Sequence, residues 1–162
     1  NINIVFDTYI EELKIRCDPE SMERVILNLL SNAIKFTDNN GNISVFIEAD
    51  EKYVFIRVKD DGIGISEDIR EKIFNRFVQE DKSFNRKKEG SGIGLALVKS
   101  LVELHDGEVY LEKVSKGSEF VVKLPNIKID EELDVYNKVM DAESKPLVQK
   151  INIEFSDIYE LY

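Results

Sequence analysis

Residues 28–36 read NLLSNAIKF, and they lie in a stretch whose apolar residues recur at the spacing of an α-helix. Asn28, Asn32 and Lys35 fall on one narrow stripe of that helix, beside its apolar face. Asparagine is a mediocre helix former because its amide competes for nearby backbone groups. The stripe is therefore either a solvated flank or a polar shelf beside a cavity, where an amide oxygen could bind Mg²⁺, Lys35 a phosphate and Phe36 a flat ring.

The helix that contains this stretch has sequence signals at both ends. Asp18 followed by Pro19 is typical of a helix start, with aspartate as the N-cap and proline at the first helical position. The turn-forming residues 38–41, DNNG, predict its end. Before the helix, residues 2–6 and 13–17 are expected to form two short strands around a polar turn.

Alternating and helical apolar patterns predict the rest of the core. The expected elements are strands over 43–49, 53–59, 108–112 and 118–124 and helices over 67–74 and 95–104. Residues 50–52 are expected to close a hairpin, and Gly107 stands where the C-terminal cap of the last helix should be. Residues 80–89 have no periodicity and several charges, which predicts a loop.

Two glycine-rich clusters could each carry chemistry or simply form a turn. DDGIGI, residues 60–65, follows a strand directly, and its glycines permit a ligand to approach the backbone closely. Asp60 could accept a hydrogen bond from an exocyclic amine there. GSGIG, residues 90–94, opens a helix whose free amides could bind an anion. Neither cluster matches the P-loop or dinucleotide fingerprints, so a phosphate site here would be of another kind.

The composition is that of an ordinary globular domain, with 43% hydrophobic and 33% charged residues among 162. The formal net charge of -10 argues against a nucleic-acid partner bound through its phosphates. The single cysteine, Cys17, fits a reducing compartment. No signal peptide or run of 18 apolar residues is visible. We therefore expect a cytoplasmic piece of a longer protein that has no direct membrane contact of its own, whether or not the whole protein is anchored in a membrane.

The character of the chain changes after Pro125. Residues 127–162 hold nine acidic and four basic side chains, a net charge of -5, which is half that of the whole chain. Two units are expected, a domain over 1–126 and an acidic extension over 127–162. Residues 150–159 alternate like a strand and repeat the INI-x-F pattern of residues 2–6, so the extension either docks as an edge strand or is a disordered tail.

Four segments together resemble one family: NLLSNAIKF its N box, DDGIGI its first glycine box, IFNRF its phenylalanine box and GSGIGLAL its second glycine box. In this order and spacing, over residues 2–125, they are typical of the ATP-binding domain of sensor histidine kinases. The wider GHKL superfamily includes type II topoisomerases, heat-shock chaperone ATPases and mismatch-repair proteins. The resemblance implies an α/β fold (α+β), a two-layer sandwich in which a mixed, mostly antiparallel sheet is backed by helices.

The resemblance also implies roles for individual residues. Asn32 would ligate Mg²⁺, with Asn28 near the phosphates and Lys35 in contact with one of them. Asp60 would bind the adenine amino group, and Arg76 would reach toward the γ-phosphate. The other residues implied to contact ATP are Phe36, Gly62, Gly64, Ile65, Phe77, Gly90, Ser91, Gly92, Gly94, Leu95 and Ser118.

A flexible lid over the nucleotide is implied for residues 78–89. Phe74 and Phe77 would anchor this lid, although both could also be plain core residues. Gly62 and Gly64 would leave room for the base, and the glycines of the second box would give the lid its flexibility.

Asn28 distinguishes the subclasses of the superfamily. Members that hydrolyse ATP usually have a glutamate at this place, because water needs a general base. A neutral imidazole is already nucleophilic, so an amide favours phosphate transfer to a histidine. Catalysis would then rest on Asn28, Asn32, Lys35 and Arg76, through positioning and charge neutralisation.

The histidine that accepts the phosphate is expected outside this chain. His105 is the one histidine, and its place at the end of a helix favours a structural role near the helix dipole. The acceptor would lie on a dimerisation hairpin of the same kinase, with a response regulator downstream. An ATP-hydrolysing relative and a nucleotide-gated interaction module remain the alternatives.

Overall fold

One layer of the fold is a mixed sheet of five strands. The structure, a computed structural model, describes residues 1–76, 78 and 92–127. The strands are β1 (Asn3–Thr8), β2 (Asn42–Ala49), β3 (Tyr53–Asp60), β4 (Glu108–Glu112) and β5 (Ser118–Pro125). Their order is β1-β2-β3-β5-β4, with β1 parallel to β2 and each other neighbouring pair antiparallel. The expected mixed, mostly antiparallel sheet is therefore confirmed.

Two helices form the second layer, α1 (Pro19–Phe36) and α3 (Gly94–Glu103), and a short helix α2 (Glu67–Arg70) lies between them in the chain. α1 packs on α3 and β3, and α3 also contacts β4. Burial of a large apolar side chain between the layers stabilises the fold by about 1.5–3 kcal/mol. Fully buried members of this core are Val25, Leu29, Ile43, Val58, Val98, Val102 and Val122.

The start of α1 is capped as the sequence predicts. Asp18 Oδ2 accepts hydrogen bonds from the Ser21 backbone N–H at 3.1 Å and from the Ser21 hydroxyl at 2.5 Å, and Pro19 begins the helix. These bonds, the one from the hydroxyl foremost, hold the pKa of the Asp18 carboxyl below its usual value. The polar and acidic groups at this end therefore satisfy the free N–H groups of the first turn.

Asp18→Ala should lower the free energy of unfolding by about 1 kcal/mol, because the first turn of α1 loses its acceptor. Urea titration at pH 7 measures the difference, and Asp18→Asn, which keeps a side-chain oxygen, is the matched control with a smaller loss. The ionised carboxylate stabilises the fold above its unfolded pKa of about 4, and this contribution is lost as the pH falls through the lower folded value. If the difference in the free energy of unfolding between the wild type and Asp18→Ala stayed constant down to pH 2, the role of the ionised carboxylate would be contradicted.

Residues 13–17 do not form the second strand that alternation predicts. They carry no regular secondary structure, and Arg16 donates its backbone N–H to the Ile127 carbonyl at 3.0 Å. A strand needs a run of backbone pairs with a neighbouring strand, and none of the five strands of the described sheet pairs with this segment. Ile15 instead packs against the core as a partly buried side chain.

The helix expected over 67–74 ends at Arg70, and residues 71–74 form turns. The Arg70 guanidinium donates to the Glu112 carbonyl at 2.6 Å, and the Phe74 ring packs edge-on against Phe120 at a centroid distance of 6.1 Å. These two contacts with the sheet hold the chain just before the turns, at Arg70, and at their last residue, Phe74. The local helical spacing is therefore overridden by tertiary contacts.

The end of α3 differs from the predicted glycine cap. Asp106, with φ +54°, is the left-handed residue after the helix, and the Gly107 N–H donates to the Val102 carbonyl at 3.0 Å. With the Asp106 N–H bonded to the Glu103 carbonyl at 3.0 Å, these are the bonds of a Schellman motif. Gly107 is needed for another reason, since a Cβ there would lie 2.6 Å from the Lys123 carbonyl oxygen.

The other strands and α3 agree with the expected ranges to within two residues, and β2 and β3 form the predicted hairpin. The loop expected over 80–89 lies outside the described residues, and so does the acidic extension except for Ile127. Within the described residues, no helix has both the length and the apolar character that a membrane crossing requires.

Candidate functional site

The polar stripe predicted on α1 lies half-buried along the C-terminal half of that helix. The Asn28 side-chain nitrogen donates to the Arg24 carbonyl at 2.9 Å, and this bond orients the Asn28 amide. No side-chain hydrogen bond joins Asn32 to another described residue. The Lys35 ammonium lies 5.7 Å from the centroid of the Phe36 ring. A half-buried amide with no side-chain hydrogen bond to the described residues is suited to binding a ligand.

The N-terminus of α3 lies directly against this stripe. A Cβ on Gly94, the first residue of α3, would be 2.6 Å from Asn28 Oδ1, so glycine permits the close approach of the two helices. Gly92, with φ +67°, turns the chain into the helix. The first N–H groups of a helix have no partners within it, and such an end attracts anions.

Asp60 ends β3 and is 3% exposed. Its Oδ1 accepts hydrogen bonds from the Gly62 N–H at 2.9 Å and the Ser118 N–H at 3.3 Å, and its Oδ2 accepts one from the Ser118 hydroxyl at 2.5 Å. Each carboxylate oxygen can accept about two hydrogen bonds. Oδ2 therefore retains one position for a donor on a ligand.

Three glycines near the Asp60 carboxylate allow backbone segments to approach one another closely. A Cβ on Gly117, whose φ is +72°, would lie 1.9 Å from the Asp60 carbonyl oxygen. A Cβ on Gly62 would lie 2.2 Å from the Phe36 carbonyl oxygen, and one on Gly64 2.9 Å from the carbonyl oxygen of Gly117. The space beside Gly62 and Gly64 is thus taken up by the backbone of the protein itself. Clearance for a base at these glycines stays a prediction.

The remaining predicted residues differ in how far the structure joins them to the site. Ile65 and Leu95 are partly buried and pack against the core, and Phe74 contacts Phe120 in the same core. Arg76 is exposed, and no hydrogen bond or ion pair joins it to another described residue. Outside the described residues lie Phe77, Gly90, Ser91 and the expected lid apart from Val78.

Asp61 is a residue for which sequence reasoning found no role. Its Oδ1 accepts the Asn42 N–H at 2.8 Å, and its Oδ2 accepts from the Lys116 ammonium at 3.4 Å. These bonds, the backbone bond from Asn42 foremost, lower the pKa of the Asp61 carboxyl. The doubled aspartate after a strand was the available signal, because successive side chains of a strand point to opposite faces. If the carboxylate of Asp60 faces the helices, that of Asp61 must point to the opposite face of the sheet and find partners there.

Gly117 likewise has no role predicted from the sequence. Its contact with the Asp60 carbonyl joins residues 57 positions apart in the chain, and no local pattern announces such a contact. The structure therefore brings Asp60, Gly62, Gly64 and Ser118 together at the end of β3, and it places Asn28 against the start of α3.

Comparison with known protein families matches residues 17–128 to the histidine kinase-, DNA gyrase B- and HSP90-like ATPase family. Histidine kinase P4 of Formosa agariphila is 33% identical over 95% of this chain and 12% of that protein. The circadian input-output histidine kinase CikA of Synechococcus elongatus is 41% identical over 68% of this chain and 15% of that protein. The chain thus spans 12% to 15% of the length of these relatives.

Among solved structures, the nucleotide-free catalytic domain of histidine kinase ThkA superposes with a TM-score of 0.69. It is 29% identical, and the match covers 78% of this chain and 81% of that one. The structure of ThkA in complex with the response regulator protein TrrA matches with a TM-score of 0.65 and 28% identity, over 77% of this chain and 34% of that one. The chain therefore belongs to the histidine kinase-, DNA gyrase B- and HSP90-like ATPase family, and its fold is that of a histidine kinase catalytic domain.

Proposed function

We propose that this chain is the ATP-binding catalytic domain of a two-component sensor histidine kinase, which transfers the γ-phosphate of ATP to a histidine on a separate dimerisation domain. The observation that carries the proposal is Asn28. Its amide is bonded to the Arg24 carbonyl at 2.9 Å and lies against Gly94 at the start of α3. An amide in this place can orient a ligand, but it cannot take a proton from water as a hydrolytic site requires.

The adenine ring would bind beside Asp60. The carboxylate accepts three hydrogen bonds from the protein, two at Oδ1 and one at Oδ2, so Oδ2 has one acceptor position left. The amino group of adenine is a donor, whereas guanine carries a carbonyl oxygen at the same ring position. A buried carboxylate would therefore favour ATP over GTP.

The phosphates would lie beside the stripe on α1 and the N-terminus of α3, where the two meet. This chain has a net charge of -10, so local positive charge must offset the repulsion of a nucleotide. Lys35 supplies an ammonium on α1, and the first N–H groups of α3 supply partial positive charge beside Asn28.

The donors of the stripe fit a magnesium ion that is held mainly by the nucleotide. Mg²⁺ keeps several waters and takes one or two protein oxygens beside substrate phosphates. The Asn32 amide, which has no side-chain partner among the described residues, could supply such an oxygen. No cluster of three or more His, Cys, Asp or Glu side chains suited to a metal occurs in the described residues. When bound, the ion would neutralise charge on the phosphates.

In the reaction, the bare ring nitrogen of the acceptor histidine would attack the γ-phosphorus, the bond from this phosphorus to the bridging oxygen of ADP would break, and the other ring nitrogen would release its proton to solvent. A neutral imidazole needs no general base, so the chain has to align the nucleotide and offset charge. Asn28 would hold the phosphates in line, and Lys35 and Arg76 would stabilise the charge that develops on them.

The proposed partners are the histidine-bearing hairpin of the same kinase and a response regulator. The structure of ThkA with TrrA supports the second, because it holds a related catalytic domain and a response regulator in one complex. We propose a cytoplasmic location and retain a domain over 1–126 and an extension over 127–162.

The direct test mixes the chain with the separately produced hairpin, Mg²⁺ and ATP labelled at the γ-phosphate. The hairpin should become labelled at histidine, while the chain alone should stay unlabelled. Asn32→Ala should slow the labelling by about 100-fold or more, since a charge-stabilising group is lost. It should also remove the Mg²⁺ dependence of ATP binding. Asn39→Ala, an exposed asparagine in the turn after α1, is the matched control and should behave as wild type.

Other outcomes distinguish the alternatives. Steady release of free phosphate without the hairpin would favour an ATP-hydrolysing relative. An unlabelled hairpin that still binds the chain only with ATP would favour an interaction module. Stoichiometric phosphate on His105 of the isolated chain would overturn the assignment of the acceptor.

A further inference from the structure

His105 joins the end of α3 to the start of α1. Its Nδ1 lies 2.7 Å from the Leu101 carbonyl oxygen, and its Nε2 lies 3.0 Å from the Asp18 backbone nitrogen. A carbonyl oxygen can only accept, so Nδ1 carries a proton, and a backbone N–H can only donate, so Nε2 carries none. The ring is therefore held as the neutral Nδ1–H tautomer by one bond within its own helix end and one bond to the cap of α1.

A second close contact between the same helices lies at the opposite end of α3. Gly94 packs against Asn28, and a Cβ on Gly94 would come within 2.6 Å of the Asn28 amide oxygen. Asp18 and Asn28 are ten residues apart and Gly94 and His105 eleven, which at the rise of a helix is about 15 and 16 Å. α3 thus runs antiparallel to α1 and contacts it at both ends.

Between these ends, α1 and α3 contribute apolar side chains to one core, among them Val25, Leu29, Val98 and Val102. Such interdigitated packing resists a large slide of one helix along the other, and a directional bond at the helix end adds a restraint on smaller shifts. The bond from the Asp18 N–H to His105 has a defined length and angle. It therefore adds a defined restraint on the position of α3 along α1.

We propose that His105 is a positioning residue for the nucleotide site. The bond from the Asp18 N–H to His105 Nε2 sets the position of α3 along α1. This position in turn places the N-terminus of α3 against Asn28. The inference rests on the proposed function in one respect, which is that this end of α3 holds the phosphates. Without this bond, α3 samples shifted positions along α1. The apparent affinity for ATP then falls, because only a fraction of the chains holds α3 in the position that binds ATP.

Two variants of similar polarity separate the two bonds of the ring. The side-chain oxygen of His105→Gln can take the place of Nε2 and still accept from Asp18. The shorter side chain of His105→Asn can still donate to the Leu101 carbonyl but does not reach Asp18. Calorimetry should show ATP binding weakened by about 3- to 10-fold in the asparagine variant and less than about 2-fold in the glutamine variant. Thermal unfolding confirms that both are folded at the titration temperature.

Nuclear magnetic resonance gives two readouts that do not depend on ATP. Because the chain has one histidine, its long-range proton–nitrogen spectrum reports His105 alone and should show a protonated Nδ1 and a bare Nε2. The Gly94 amide signal, at the far end of α3, should move in the asparagine variant and stay in place in the glutamine variant. A protonated Nε2 in the folded chain, or a Gly94 signal and ATP affinity that are equal in both variants, would overturn the inference. If the tautomer of the wild type and the Gly94 signals of the two variants are as expected but the wild type binds no ATP, the proposed function is overturned instead.

Discussion

Asp60→Asn should leave the domain folded and weaken ATP binding by about 10- to 100-fold, the effect of losing one hydrogen bond to a charged acceptor. The substituted side chain keeps an oxygen for the Gly62 and Ser118 N–H groups, which lie 2.9 and 3.3 Å from Oδ1. At the Oδ2 position an amide nitrogen replaces the oxygen, and it can donate to the Ser118 hydroxyl. No acceptor then remains for the amino group of adenine, and two donors face each other.

Calorimetric titration with ATP and with GTP measures this effect. The preference of the wild type for ATP should shrink in Asp60→Asn, because the discriminating acceptor is gone. Asp61→Asn is the matched control, since Asp61 carries the same charge one residue later but bonds to Asn42 and Lys116. It should change ATP affinity by less than about 3-fold, as expected of an exposed pair. Equal losses in the two variants would show that net charge, and not the Asp60 acceptor, governs binding.

Gly117→Ala should lower the free energy of unfolding by about 2 to 5 kcal/mol, which is a large part of the stability of a domain of this size. The added Cβ would lie 1.9 Å from the Asp60 carbonyl oxygen, and the φ of +72° is itself unfavourable for alanine. Neither group can move freely, since Asp60 ends β3 and pairs with Ser118 of β5. Relief of the overlap must therefore separate these strand ends.

Urea titration with far-ultraviolet circular dichroism measures the loss. Ser115→Ala, at an exposed position of the same loop, is the control and should change stability by no more than about 0.5 kcal/mol. Gly64→Ala should fall between the two, because its φ is also +72° but its Cβ would lie 2.9 Å from the nearest backbone oxygen. If Gly117→Ala unfolded at the same urea concentration as Ser115→Ala, the close approach of the loop to β3 would be wrong.

Much of the fold follows from short-range patterns in the chain. The cap at Asp18, the helical spacing through Ile34 and the turn at 38–41 define α1, and alternation defines the strands, because each signal acts between residues a few positions apart. The same spacing places Asn28, Asn32 and Lys35 on one stripe. The family boxes add the roles that these residues would take, and these roles stay predictions within a chain that belongs to the family.

Local patterns failed where a distant part of the chain supplies the partner. Residues 13–17 alternate like a strand but pair with no strand among the described residues, and the helix that starts at Glu67 stops where Arg70 and Phe74 contact the sheet. Asp106 takes the left-handed position that glycine usually fills, while Gly107 is needed against Lys123.

The geometry of the site likewise comes from long-range contacts. The glycine of the loop before β5 fits against the backbone of Asp60, and the ring of His105 bonds to the cap of α1, 87 residues away. Sequence periodicity describes which face of an element is apolar, and it carries no information on which distant backbone lies within bonding distance of that element. The types of residue in the site could therefore be read from the chain, whereas the closeness of Asp60 to Gly117 and of Asn28 to Gly94 arises only when the sheet and the two helices pack together.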